Sequence, residues 1–238
     1  MLTRVGAATR RALLLLPLAA SAAAAQASLG GLTLRGTGAG FAIPIAGTVS
    51  SSIAISGYTT AIGPTAANQT VVVRLNNLSH SYGGDLSAAV QFQSAETGTT
   101  FAWQLFSRLG AGTFGTPRPF NGSYAFGEYD EPSNSFTADL EDEAQFGLSP
   151  AIASGDYFAF SAVGGQDYGS PFDIFGGLLP NGTWTLLIND AATPDGGLLG
   201  SWDLAFNVES AAVPEPSSIA LIALGVVGLA AAHRRRAR

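Results

Sequence analysis

GTWTLLINDAATPDGGLLGSWDLAF, residues 182–206, is the stretch from which the fold class can be read. Trp184, Leu186 and Ile188 fall on alternate positions, and Trp202, Leu204, Phe206 and Val208 repeat the pattern against Ser201, Asp203, Ala205 and Asn207. Successive side chains of a strand point to opposite faces, so each run predicts a strand with one buried and one wet face. The two runs are expected to pair with each other. Between them Asp190, Pro194, Asp195, Gly196 and Gly197 are turn formers: Asp caps local backbone, Pro presets φ and Gly admits positive φ. The turn reading is carried forward, with a cation held by Asp190 and Asp195 as the alternative.

Working outward, period-2 alternation recurs and no long apolar 3.6-residue period appears, which predicts an all-β chain. Further strands are expected over residues 41–45, 52–56, 70–78, 86–93, 100–106, 135–140 and 157–162. Clusters of Gly, Asn, Pro and Ser separate them, and residues 110–134, with weak periodicity and many turn formers, are expected to contain a long surface loop. About nine short strands in one domain predict an antiparallel β-sandwich of jelly-roll type.

Both ends of the 238-residue chain read as processing segments. Arg4, Arg10 and Arg11 precede an apolar run, and Ala25-Gln26-Ala27 supplies a small-residue cleavage site, so residues 1–27 are a secretory signal peptide. Sec export is the default expectation, with a twin-arginine signal as the alternative. Residues 211–238 hold Val213-Pro214-Glu215-Pro216, an uncharged apolar stretch at 219–232 and a basic end with Arg234, Arg235 and Arg236. A helix over that stretch reaches only about 21 Å, against a hydrocarbon core of about 30 Å. It suits a transient inner-membrane anchor, a permanent anchor being the alternative. The arginines after it keep the tail cytoplasmic and the body outside.

The order Val-Pro-Glu-Pro, apolar helix, arginine cluster resembles the PEP-CTERM sorting signal of exopolysaccharide-producing Gram-negative bacteria. The resemblance implies that exosortase, a membrane protease, recognises the Pro-Glu-Pro region and removes the helix and basic tail. The product is then released or transferred to the outer surface, in the cell envelope or the extracellular matrix.

The body, residues 28–210, sets four arginines against 16 carboxylates, a formal charge of about −12. Nucleic acid and anionic membrane need clustered cations and are excluded as partners. The chain has no Cys, so its stability must come from core burial, for which the body is long enough.

Three segments of the body carry a second resemblance. They are Asn76-Asn77-Leu78-Ser79-His80-Ser81-Tyr82-Gly83-Gly84-Asp85-Leu86, then Phe136-Thr137-Ala138-Asp139-Leu140-Glu141-Asp142-Glu143-Ala144, then Phe175-Gly176 with Gly182-Thr183-Trp184-Thr185-Leu186. With Asp190 and Ser201-Trp202-Asp203-Leu204 closing the series, the order resembles the P domain of subtilisin-like proprotein convertases in its bacterial exported versions. The signature positions are His80, Asp85, Trp184, Asp190 and Trp202. Gly84 stands where many members carry an acid, and residues 93–98 lack the common Pro-Gly turn. The resemblance implies a jelly-roll sandwich used as an accessory or stand-alone exported module.

No protease is expected. The Asp, His and Ser motifs of a subtilisin-type enzyme are absent and the body has no room for that domain. His80, the body's one histidine, reads as a residue that ties a turn to the sheet. A glycan-degrading enzyme would need two carboxylates on a concave face, with Glu128, Glu141 and Glu143 as candidates. In a strand Glu141 and Glu143 would share a face. Calcium is the better-founded ion, because hard oxygen ligands gather at Glu128, Asp130, Glu131, Asp139, Glu141, Asp142 and Glu143 and again at Asp190 and Asp195. Solvated acidity is the plain alternative. Tyr82, Tyr124, Phe126, Tyr129, Tyr157, Phe158 and Tyr168 fall in or beside expected turns, where a sugar ring could stack, though most read as core. The function expected is that of an exported, non-enzymatic surface or matrix protein associated with exopolysaccharide. The alternative is a calcium-dependent glycan- or protein-binding module.

Overall fold

The computed structural model describes residues 27–65, 68–109, 118–129, 136, 138–140, 143–144, 150–158, 160–161, 166–167 and 170–208. Among the described residues twelve strands run β1 (Leu34–Ile43), β2 (Gly47–Ile55), β3 (Val71–His80), β4 (Leu86–Ser94), β5 (Thr100–Ser107), β6 (Phe120–Gly127), β7 (Ala138–Asp139), β8 (Gly155–Phe158), β9 (Phe160–Ser161), β10 (Gln166–Asp167), β11 (Gly182–Asp190) and β12 (Gly197–Phe206). They form a six-stranded sheet ordered β1-β12-β3-β6-β8-β7, a four-stranded sheet ordered β2-β11-β4-β5 and the small pair β10-β9. The fold is an all-β sandwich. Its largest core cluster takes Val73, Leu75, Trp202, Leu204 and Phe206 from the first sheet and Val90, Phe92, Trp184, Leu186 and Ile188 from the second. Trp184 lies at the centre, its ring 4.4 Å from Phe92 and stacked, 5.0 Å from Phe175 and 6.1 Å from Phe206.

The alternation in β11 holds: Trp184, Leu186, Ile188 and Asp190 all point inward and are buried. The expected hairpin does not. β11 pairs with β2 and β4, whereas β12 pairs with β1 and β3, so residues 191–196 carry the chain from one sheet to the other across the end of the sandwich. Alternation marks which face of a strand is apolar. It carries no information about which neighbour supplies the hydrogen bonds.

Three further expectations are corrected. The strand β6 lies inside the stretch expected to contain a long surface loop, with Tyr124, Ala125 and Phe126 fully buried. Asn121-Gly122-Ser123 hid it, because turn formers interrupt its apolar pattern. The strand expected at 135–140 shrinks to Ala138–Asp139, and Leu140 and Glu143 are helical. The sheet is also mixed, since β8 runs parallel to both β6 and β7.

The second half of β12 is buried on both faces, where one wet face was expected. Ala27, Leu32 and Phe136 form a small cluster with Val72, Ala125 and Ala205 on the outside of the six-stranded sheet. The chain entering β1 therefore covers Ala205, and Asp203 beside it is only 4 % exposed.

Candidate functional site

The outer face of the six-stranded sheet is covered at one end and hollowed at the other. Beyond the Ala27 cluster, a groove of about 760 Å³ is lined by Asn76, Asn77, Asn121, Ser123, Ser154 and Ser201, with Arg74 and Leu198 among the remaining lining residues. A bulge in β3 helps to shape it. The pairing of β3 with β6 slips by one residue between Leu75 and Leu78, and Asn77 takes φ of +52°. Asn tolerates that left-handed geometry better than most residues, and a bulge re-aims the side chains around it. The Asn77 N–H donates to Ser123 Oγ at 3.2 Å, which ties the bulge to β6.

Small residues keep the groove open. A Cβ on Gly122 would lie 2.1 Å from Ser154 Oγ, and one on Gly200 would lie 3.1 Å from both the Asn76 oxygen and Asn77 Cβ. Ser154 Oγ accepts from the Ser123 N–H at 3.0 Å. The Asn121 N–H donates to the Tyr124 hydroxyl at 3.0 Å, and that hydroxyl donates to the Ile152 carbonyl at 3.0 Å. Burial pushes the Tyr124 hydroxyl up to about 12, so it stays protonated as this relay requires. A second depression of about 470 Å³ adjoins the first, lined by Pro119, Phe120, Pro150 and Gly196 among others. Ser79 and Asn121 line both.

Beneath one end of the groove sits a charge-paired cluster. Asp203 Oδ2 accepts from Arg74 Nε at 3.0 Å, Arg74 Nη2 at 2.6 Å and Asn76 Nδ2 at 2.8 Å, while Oδ1 accepts from Thr37 Oγ1 at 2.7 Å. Arg74 Nη1 donates to the Ala27 carbonyl at 3.0 Å. Burial alone would raise the Asp203 carboxyl. The hydrogen bonds from Thr37, Asn76 and Arg74, with the guanidinium charge, outweigh it and hold the carboxyl below its ordinary value.

His80 occupies the other end of β3, as the tie the sequence suggested. Its Nε2 lies 3.1 Å from Asp190 Oδ2, and its Nδ1 lies 2.9 Å from the Tyr82 carbonyl oxygen and 3.2 Å from the Tyr82 nitrogen. Both side chains are fully buried, so the pair pins β3 of one sheet to β11 of the other. Asp190 Oδ1 accepts from the Ala192 N–H at 3.1 Å, and the Asp85 carbonyl accepts from the Ala191 N–H at 2.9 Å. Both Asp190 oxygens are thus engaged within the protein. Burial first, and then the nearby charges of Asp190 and Asp195, raise the Asp85 carboxyl, against an opposing pull from His80 and Arg108.

The other sequence candidates do not converge. Asp139 is half-buried at the end of β7, and Glu143 Oε1 accepts from the Ala153 N–H at 3.2 Å. Glu128 Oε2 accepts from the Phe172 N–H at 3.2 Å, and burial raises this carboxyl despite the hydrogen bonds it receives from Ser170, Phe172 and Thr70. Glu141 and Asp142 lie outside the described residues, as do Asp130, Glu131 and Tyr168. Among the described residues no three His, Asp or Glu side chains stand together as a metal site would need. Of the candidate aromatics, Tyr124, Phe126 and Tyr157 belong to the core, whereas Tyr129 is exposed and meets Phe158 edge to face at 5.1 Å.

Sequence reasoning missed the groove. The one local signal was the Asn76-Asn77 pair within an otherwise apolar strand pattern. The signal peptide and the sorting residues Val213, Pro214, Glu215, Pro216, Arg234, Arg235 and Arg236 lie outside the described residues. Among those described, no helix is long and apolar enough to cross a membrane.

No curated protein matches the chain. Among solved structures, the crystal structure of the Aeromonas sobria serine protease in complex with the chaperone ORF2 is similar at 17 % identity and a TM-score of 0.27. That likeness covers 71 % of this chain and 28 % of the other, and it carries no argument at that score. At the C-terminus, residues 212–236 match the family described as the PEP-CTERM protein-sorting motif, which marks the chain as an exported, envelope-associated protein that exosortase processes.

Proposed function

We propose that the mature protein is a non-enzymatic component of the cell surface or extracellular matrix that holds exopolysaccharide in the groove of the six-stranded sheet. The observation that carries this reading is the lining itself. Asn77, Asn121, Ser123, Ser154 and Ser201 present neutral amides and hydroxyls, which can donate and accept hydrogen bonds, over a hollow of about 760 Å³, while the Asn76 amide donates to Ser201 Oγ at 3.2 Å and Asp203 Oδ2 at 2.8 Å. The sorting motif supports a location where such a polymer is met.

The sandwich is proposed to be a jelly roll of P-domain type. The order β1-β12-β3-β6 against β2-β11-β4-β5 supports the jelly roll, since a chain wrapping through two Greek keys distributes its strands in this way. The sequence segments around His80, Trp184 and Trp202 support the P-domain comparison.

The test is titration calorimetry of the exported, processed protein with the producing organism's own exopolysaccharide, in calcium and again in EDTA. Saturable heat is expected, reduced about tenfold in affinity by Ser79→Ala/Asn121→Ala. Absence of heat in both buffers would overturn the groove reading and move the weight to a protein-partner role. Heat confined to the calcium buffer would make the module calcium-dependent.

Processing has its own test. Replacing Pro214, Glu215 and Pro216 by alanine is expected to leave an uncleaved product in the membrane fraction. Unchanged release, read by immunoblot of medium against membranes, would refute recognition at this motif.

A further inference from the structure

We infer that the ligand of this groove is an uncharged hexose polymer, bound along the interior of its chain by hydrogen bonds; the inference rests on the groove reading above. Four features point the same way. The first is the balance of donors and acceptors. Serine hydroxyls and asparagine amides present both, and so does a sugar hydroxyl, whereas a carboxylate, sulfate or phosphate only accepts and leaves the acceptors of the lining unused.

The second is charge. Arg74 is the one arginine lining either depression among the described residues, and all three of its nitrogens are engaged, Nε and Nη2 by Asp203 and Nη1 by the Ala27 carbonyl. Three of its five N–H groups are taken and its charge is paired with Asp203, which weakens its pull on an arriving anion. The acidic body, four arginines against 16 carboxylates, adds a long-range repulsion of polyanions.

The third is shape. The two depressions adjoin at Ser79 and Asn121, so the hollowed surface is longer than either alone, which suits a run of residues inside a polymer better than a chain end. The fourth is Leu198, 52 % exposed on the lining, an apolar surface on which the C–H face of a pyranose ring can rest. Among the described residues no exposed aromatic lines the groove: Phe120, in the second depression, is 1 % exposed. Recognition therefore falls to hydrogen bonds and this one aliphatic contact, in place of the ring stacking considered from the sequence.

The experiment separates the producing organism's exopolysaccharide by anion exchange into neutral and acidic fractions. Each fraction is titrated into the processed protein and into Ser79→Ala/Asn121→Ala, at about 20 mM and about 300 mM salt. The expected result is binding of the neutral fraction with an affinity that salt leaves unchanged, weakened about tenfold in the double variant while its thermal midpoint is kept. Tighter binding of the acidic fraction, weakening as salt rises, would overturn the neutral-polymer inference while leaving the groove reading intact. Binding of the neutral fraction that the double variant does not weaken would place the site elsewhere and overturn both. Binding of neither fraction would also overturn both.

Discussion

Trp184→Ala is expected to destabilise the sandwich by about 3–5 kcal/mol, the range for removing a fully buried aromatic from a core. The indole is wholly inaccessible, stacks on Phe92 at 4.4 Å, meets Phe175 and Phe206, and donates from Nε1 to the Pro180 carbonyl at 3.1 Å. Truncation leaves a cavity between the two sheets and strips that carbonyl of its donor. For a chain of this length the thermal midpoint should fall by about 10 °C. A fall of under about 2 °C in calorimetric unfolding of the processed protein would show that the centre of the core can collapse around the missing ring.

Asp203→Asn is the second large effect, because it leaves Arg74 without its counter-charge on a largely buried surface. Breaking one side of a buried pair costs about 3–5 kcal/mol. Arg74 keeps some solvent contact, 15 % of its side chain, so a value near the lower end, about 3 kcal/mol, is expected. The loss should be read by urea unfolding.

The effect also has a pH signature. Asp203 is held below its ordinary carboxylate value, so its contribution is fully present above that value, about 3.9, and disappears as pH falls through the lower folded-state value. The gap between the native chain and Asp203→Asn should therefore stay constant from about pH 7 to about pH 5 and narrow as pH falls below the ordinary carboxylate value, about 3.9. A gap that does not change with pH would assign the loss to packing and not to charge. Replacing both partners, as Arg74→Met/Asp203→Leu, should recover part of the stability, since no unpaired charge then remains.

The same cluster shows why the candidate site was hard to read. Asp203, Ser201 and Asn76 occupy the outward positions of regular strands, and such residues look alike whether they meet bulk water, a buried ion pair or a groove. Asp203 is buried because residues 27–32 and Phe136 arrive from distant parts of the chain. The hollow beside it exists because β3 bulges where Gly122 and Gly200 leave room. His80 was legible as a residue tying a turn to the sheet and Asp190 as a turn former, but not their pairing. Their contact spans 110 positions of sequence and joins opposite sheets.

Local and periodic properties were in the sequence by itself. The all-β class follows from alternation in β11 and β12, stability without disulfides from the absence of Cys, and the sorted C-terminus from the order of Pro-Glu-Pro, apolar stretch and arginines. Each depends on residues close together in the chain. Tertiary structure alone decided which sheet each strand joins, why β11 and β12 face each other instead of pairing, and where the polar groove opens. A strand's partner is selected by the burial that the whole chain achieves, and a groove is the space left when distant segments cover only part of a sheet.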